Sequence, residues 1–112
     1  MSAPRLNRKL VLEEALRLPD GAGGYAQTWV ALGTLWAAVA AGSGREHAGE
    51  SVTVSTVVYK ITVRAAPQGA ASRPKPEQRL RDGARLFRIS AVTEADSLDQ
   101  YLTCFAQEEV LS

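Results

Sequence analysis

Residues 52–64, VTVSTVVYKITVR, carry β-branched side chains at most positions. Such side chains are stiff at χ1 and crowd a helical turn, so they favour a pleated strand. Val57, Tyr59, Ile61 and Val63 share one parity and therefore one face. A strand of this kind needs partners, and the chain offers several. Residues 9–18, KLVLEEALRL, place Leu10, Leu12, Leu16 and Leu18 on one face, interrupted only by Glu14. Lys9, Glu13 and Arg17 take the other face, the pattern of a half-buried antiparallel strand. In RLRDGARLFRISAV, Asp82-Gly83 is a hairpin signal, with Phe87, Ile89 and Ala91 facing one way. QYLTCFAQ reads as a last strand.

Two segments are less decided. Tyr25, Trp29, Leu32, Trp36 and Val39 step by four and three, a helical stripe. Leu35, Ala37 and Val39 nevertheless alternate as a strand would, and Gly33 weakens a helix. Ser43 and Glu46 match the S/T-x-x-E capping box, which predicts the start of a one- or two-turn helix in the short break at residues 42–50. Residues 65–78, AAPQGAASRPKPEQ, form a long Pro/Ala-rich loop whose composition suggests flexibility or docking. The expected fold is all-β, mainly β with one short helix. It is a small antiparallel barrel or sandwich of five to six strands, in one domain over residues 1–112.

Composition narrows the chemistry. Of the 112 residues, 46% are apolar and 22% charged, with net charge +1, so the basic excess of a stand-alone nucleic-acid binder is missing. One cysteine, Cys104, precludes an internal disulfide, and one histidine, His47, argues against zinc. Cys104 lies at a core-strand position, which argues against a Cys–His nucleophile pair. Glu13 and Glu14 are adjacent, so on a strand they point to opposite faces and cannot act as a carboxylate pair. No cofactor, metal or catalytic set is expected, and the protein reads as a non-enzyme. The N-terminus has no apolar core of a signal peptide, and residues 29–41 are too short to span a bilayer. The expectation is a soluble protein without membrane partners.

Gly21-Ala22-Gly23-Gly24-Tyr25-Ala26 fits the dinucleotide fingerprint G-x-G-x-x-G/A. The strand before such a turn is buried on both faces and nearly continuously apolar, whereas KLVLEEALRL is charged on one face. No βαβ units follow. The glycines therefore read as a turn.

Charge is segregated along the chain. Residues 73–88 hold Arg73, Lys75, Arg79, Arg81, Arg85 and Arg88, whereas residues 94–109 hold only acidic charges. Two solvated faces account for this simply. Complementary surfaces on neighbouring subunits, or a basic rim meeting nucleic acid, are the sharper readings.

Taken in order, RLNRKLVLEEA, DGAGGYAQTW, LWAAVAAGSGRE, YKITVR, GARLFRISAV and YLTCFAQEEV resemble the phage head–tail joining (adaptor, stopper or head completion) family. The resemblance runs from Leu6 to Val110. Its most specific part is Asp20, Gly23, Gly24 and Trp29, followed by Trp36-Ala37 and Ser43-Gly44-Arg45-Glu46.

The resemblance implies a β-barrel-like subunit that forms a homo-oligomeric ring in the neck of a virion or phage-like particle, assembled in the bacterial cytoplasm. Implied partners are a portal or adaptor protein on the head side and a tail terminator or tail tube protein on the tail side. Packaged double-stranded DNA would pass through the lumen. The resemblance also favours strand for residues 36–40, with residues 45–50 as the short helix or an exposed loop. Ala, Gly and Arg richness suits a gene transfer agent. Arg45, Glu46, Arg73, Lys75 and Arg79 are the expected assembly or channel contacts, and Trp29, Trp36, Tyr59 and Phe87 the expected core anchors. The alternative is an OB-like nucleic-acid-binding module, which needs stacking aromatics on an exposed basic face.

Overall fold

The computed structural model describes residues 4–47, 54–96 and 100–109. Six antiparallel strands follow in chain order: β1 (Arg8–Pro19), β2 (Tyr25–His47), β3 (Val54–Arg64), β4 (Arg79–Asp82), β5 (Arg85–Glu94) and β6 (Tyr101–Glu109). They form one sheet that closes as a barrel in the order β1-β2-β3-β6-β5-β4. Closure is made by β4 on β1, through the pairs Val11↔Arg81, Leu12↔Leu80 and Glu13↔Arg79.

Among the described residues the expected short helix is not there. β2 continues as a strand through the capping-box residues, with Arg45 opposite Thr56 and Glu46 opposite Ser55. A capping box stabilises a helix only if a helix follows. Here β3 offers a β-branched ladder partner instead, and a register shift between Ala41 and Gly44 accommodates the junction. A Cβ added at Gly42 in this junction would lie 2.5 Å from the Val58 carbonyl oxygen, so the close approach requires glycine. Residues 48–50, where the expected helix would have ended, lie outside the described residues.

The ambiguous segment is also strand. Between Leu12↔Gly33 and Glu13↔Ala31 the register skips Leu32, which makes Leu32 the extra residue of a bulge in β2. One added residue breaks period two, and this places Trp29 and Trp36, seven apart, on the same side of the sheet. The apparent helical stripe is a strand with a bulge in it.

The barrel interior is apolar and mainly aliphatic. Leu10 and Leu12 of β1, Ile61 and Val63 of β3, Leu80 of β4 and Ile89 of β5 are fully buried. Leu102, Cys104 and Ala106 of β6 line the same interior, with Phe87 the largest buried side chain. On β5 a register shift between Ile89 and Ala91 changes the pattern read from sequence. Ala91 turns out to solvent and Val92 packs against the core in its place. Ser90, at the shift, donates its hydroxyl to the Phe105 carbonyl at 3.0 Å.

Removing most of a large buried ring leaves a cavity that the surrounding barrel fills poorly. Phe87→Ala is expected to lower unfolding free energy by about 3–5 kcal/mol in urea denaturation. Burial of Cys104 supplies a second expectation, because it pushes the thiol up to about 12. An unfolded thiol ionises near 8.5, so this contribution to stability is complete below that pH and falls as pH rises toward 12. Cys104→Ala should flatten the alkaline limb of a stability–pH curve while lowering stability at neutral pH.

Candidate functional site

The stagger of β2 shapes the outside of the molecule. β1 pairs with β2 from Tyr25 to Ala37, and β3 pairs with it from Ala37 to His47. Only Ala37 has both neighbours. Beyond Glu13, β1 and the first part of β2 pair with each other alone among the described residues. They project from the barrel as a two-stranded arm.

The turn at its tip is built by Asp20. Its carboxylate accepts the backbone N–H groups of Ala22 at 2.8 Å and Gly24 at 3.1 Å, and these bonds lower its pKa. Gly21 and Gly23 have φ of 81° and 86°, conformations that glycine adopts without a Cβ penalty. An acidic side chain already occupies the N–H groups that a phosphate would need. The glycine run is a hairpin turn, as read from the sequence.

One face of the arm is apolar and open. Leu16 lies opposite Thr28 and Leu18 opposite Ala26, with Val30 opposite Glu14. Leu16 is 42% exposed, Leu18 53% and Val30 39%. These leucines share parity with the core residues Leu10 and Leu12, but no strand among the described residues lies beneath them. The sequence pattern marked their face correctly and could not reveal that the barrel ends at Glu13.

The other face of the arm is held to the barrel. Glu13 is nearly fully buried and accepts Arg79 Nε at 2.6 Å and Arg81 Nη2 at 2.9 Å. The Arg79 guanidinium stacks on the Trp29 ring at 4.0 Å, with Arg88 at 5.7 Å from the same ring. Arg88 also binds Glu77 at 2.7 Å, which raises the arginine's pKa, and approaches Glu109 at 3.6 Å.

The barrel mouths differ. At one, Tyr59 meets Phe87 edge-on with ring centroids 5.1 Å apart. Arg85 covers both rings and makes a two-point contact with Glu108 at 2.9 and 3.0 Å, which raises the arginine's pKa and lowers that of the carboxylate. Arg8 pairs with Asp82 between β1 and β4. The loop 65–78 lies beside the other mouth, where Arg73 donates to the Ala66 carbonyl at 2.7 Å. Together with Pro67, Glu94 and Leu102 it lines a cleft of about 380 Å³. Pro74 and Gln78 are buried, and backbone bonds join Glu77 and Gln78 to Ile89. The loop is therefore docked on the barrel.

The sequence model of the phage head completion proteins matches residues 1–109. The chain belongs to that family. Among solved structures, a chain from a structure described as the virion of a native gene transfer agent particle is 62% identical to this head completion protein. The match covers 98% of this chain and 100% of the other, with a TM-score of 0.81. A search of curated proteins gives no match. Family membership favours a structural component over the OB-like alternative.

The residues singled out from the sequence of this head completion protein are dispersed. Phe87 is in the core and Tyr59 packs against it. Trp29 is half-buried beneath Arg79 on the outer face, away from the barrel interior. Trp36 is not a core anchor, for it is 55% exposed. The bulge at Leu32 sets it on the solvent side, opposite Lys9. Arg79 and Arg73 are engaged within the chain, while Lys75 is exposed. Arg45 and Glu46 lie in the ladder with β3, and their side chains are outside the described residues.

The charge segregation also resolves within the chain. Antiparallel pairing sets Arg85 and Arg88 of β5 beside Glu108 and Glu109 of β6. Truncating Glu13 would leave Arg79 and its neighbour without their shared carboxylate. Glu13→Ala is expected to cost about 3–5 kcal/mol in urea denaturation at neutral pH.

Proposed function

We propose that this head completion protein is a structural part of the neck of a phage-like particle, joining the DNA-filled head to its tail. The observation that carries the reading is the near-complete match, at 62% identity, to a chain in a gene transfer agent virion. The particle is of the same kind. Copies of the chain form a homo-oligomeric ring that extends the DNA channel and helps retain packaged DNA. A portal or adaptor protein borders the ring on the head side, and a tail terminator or tail tube protein on the tail side.

Physical features favour an assembly subunit. A closed ring is built from head-to-tail contacts, so each copy presents two different surfaces. The arm offers exposed leucines and a free strand edge, features that a monomer generally conceals. The work is mechanical and non-enzymatic: the ion pairs on buried Glu13 brace the barrel, and the raised pKa of Cys104 makes it a poor nucleophile. A net charge of +1 suits a channel that must release DNA as well as hold it.

Deleting the gene from a particle-producing strain tests the reading. Electron micrographs should show heads without tails, and nuclease-protected DNA should fall. Tailed, DNA-filled particles at normal yield would overturn it.

A further inference from the structure

Apart from Tyr25, on the reverse side of the arm tip, the exposed large apolar side chains fall into two patches on opposite sides of the same β1–β2 sheet. The first is the arm face of Leu16, Leu18 and Val30, on the side that faces the core farther along the strands. The second surrounds Trp36 on the outer side. There Lys9 stands opposite Trp36, and Thr34 and Ala38 are the same-face neighbours along β2. Small residues beside one large exposed ring make a flat platform.

Their charges are complementary. Glu14 lies at the root of the arm face, and Asp20 is at the tip with its pKa lowered by two backbone N–H groups. Arg17 is on the reverse side of the arm, 5.3 Å from the Tyr25 ring centroid. The platform is bordered by exposed Lys9 and by exposed Lys60, which pairs opposite Ala40. Neither lysine has an ion-pair partner among the described residues.

We infer that the arm face of Leu16, Leu18 and Val30 docks on the Trp36 platform of a second copy of this chain. The inference rests on the ring reading above and names its contact surfaces. Two copies related head to tail can repeat the contact because the patches are different and lie on opposite sides of one sheet. A two-fold pairing of the arms would instead bring like charges together at Glu14 and Asp20. Docking removes the exposed leucines and Trp36 from water and places the acidic arm against the two lysines. An aromatic anchor ringed by smaller contacts is the usual composition of an energetically dominant interface patch.

Paired cysteines test this in assembled particles. Leu18 lies opposite Ala26, ten residues from Trp36 along β2, or about 30 Å of strand. The two sites also occupy opposite sides of the sheet, so a disulfide between them within one chain is excluded. Particles carrying the double variant Leu18→Cys/Trp36→Cys are oxidised and separated on a non-reducing gel. A ladder of homomultimers, missing from each single variant, is the expected result. Only monomer from tailed particles that contain the variant would overturn the contact and leave the neck role standing. A cross-link to another neck component would also overturn it, by showing that the arm docks elsewhere. If that pair prevents incorporation, Leu16→Cys/Thr34→Cys probes the same two faces and is read by the same criteria. Failure of the neck reading itself would appear separately, as normal tailed particles in the deletion strain.

Discussion

The geometry of this protein follows from the stagger of β2. Its 23 residues are more than a small barrel can enclose, and its two neighbours overlap on it only at Ala37. Where β1 also pairs with β4, and β3 with β6, the sheet curls and encloses Leu10, Ile61, Phe87 and Cys104. Where β1 and β2 have only each other, the pair of strands runs on as an arm. The small buried side chain at the crossing, Ala37, lets three strands curve together without crowding the interior. The bulge at Leu32 bends β2 close by. A strand of average length would have closed the same core and left no projecting surface.

Ion pairing then decides which surfaces remain available. Glu13 ties the root of the arm to β4 through Arg79 and Arg81, and Arg79 caps Trp29. At the Tyr59 mouth, Arg85 and Glu108 hold each other over two aromatic rings. Much of the basic segment is thereby neutralised inside the fold. What the body offers a partner is less a basic rim than apolar surface bordered by a few unpaired charges. The contact proposed above accordingly lies on the β1–β2 sheet.

Legibility in the sequence follows the range of the interactions involved. β3 is readable because β-branched stiffness acts within a residue, so Tyr59, Ile61 and Val63 fall on the core side as their parity indicates. The turn at Asp20 is readable for the same reason. Trp36 is not, because a single unpaired Leu32 reverses the face of everything beyond it, and the one local sign, Gly33 beside it, does not fix where the extra residue falls. The capping box at Ser43 is a true local preference outweighed by a ladder from residues ten positions away. Leu16 and Leu18 form the hardest case. Their alternation specifies a face correctly, but whether that face is covered depends on where β4 begins, at Arg79 opposite Glu13. The arginine-rich and acidic segments look like separate surfaces in one dimension, and only the β5–β6 pairing brings them together.

The arm therefore has two opposing consequences. An exposed strand edge with leucines on one face is a liability in a free monomer, because it is a template for indiscriminate pairing. Several features limit that risk here. Asp20 and the glycine turn close the tip, Arg17 places a charge over the Tyr25 ring on the reverse side, and Glu14 interrupts the leucine face. Charges at both ends of an apolar stripe disfavour pairing with its own kind while leaving it open to a surface of opposite sign. The Trp36 platform, between Lys9 and Lys60, is such a surface, and it lies on the opposite side of the same sheet. A chain so arranged discourages two-fold pairing and favours head-to-tail addition, the contact that a closed ring requires.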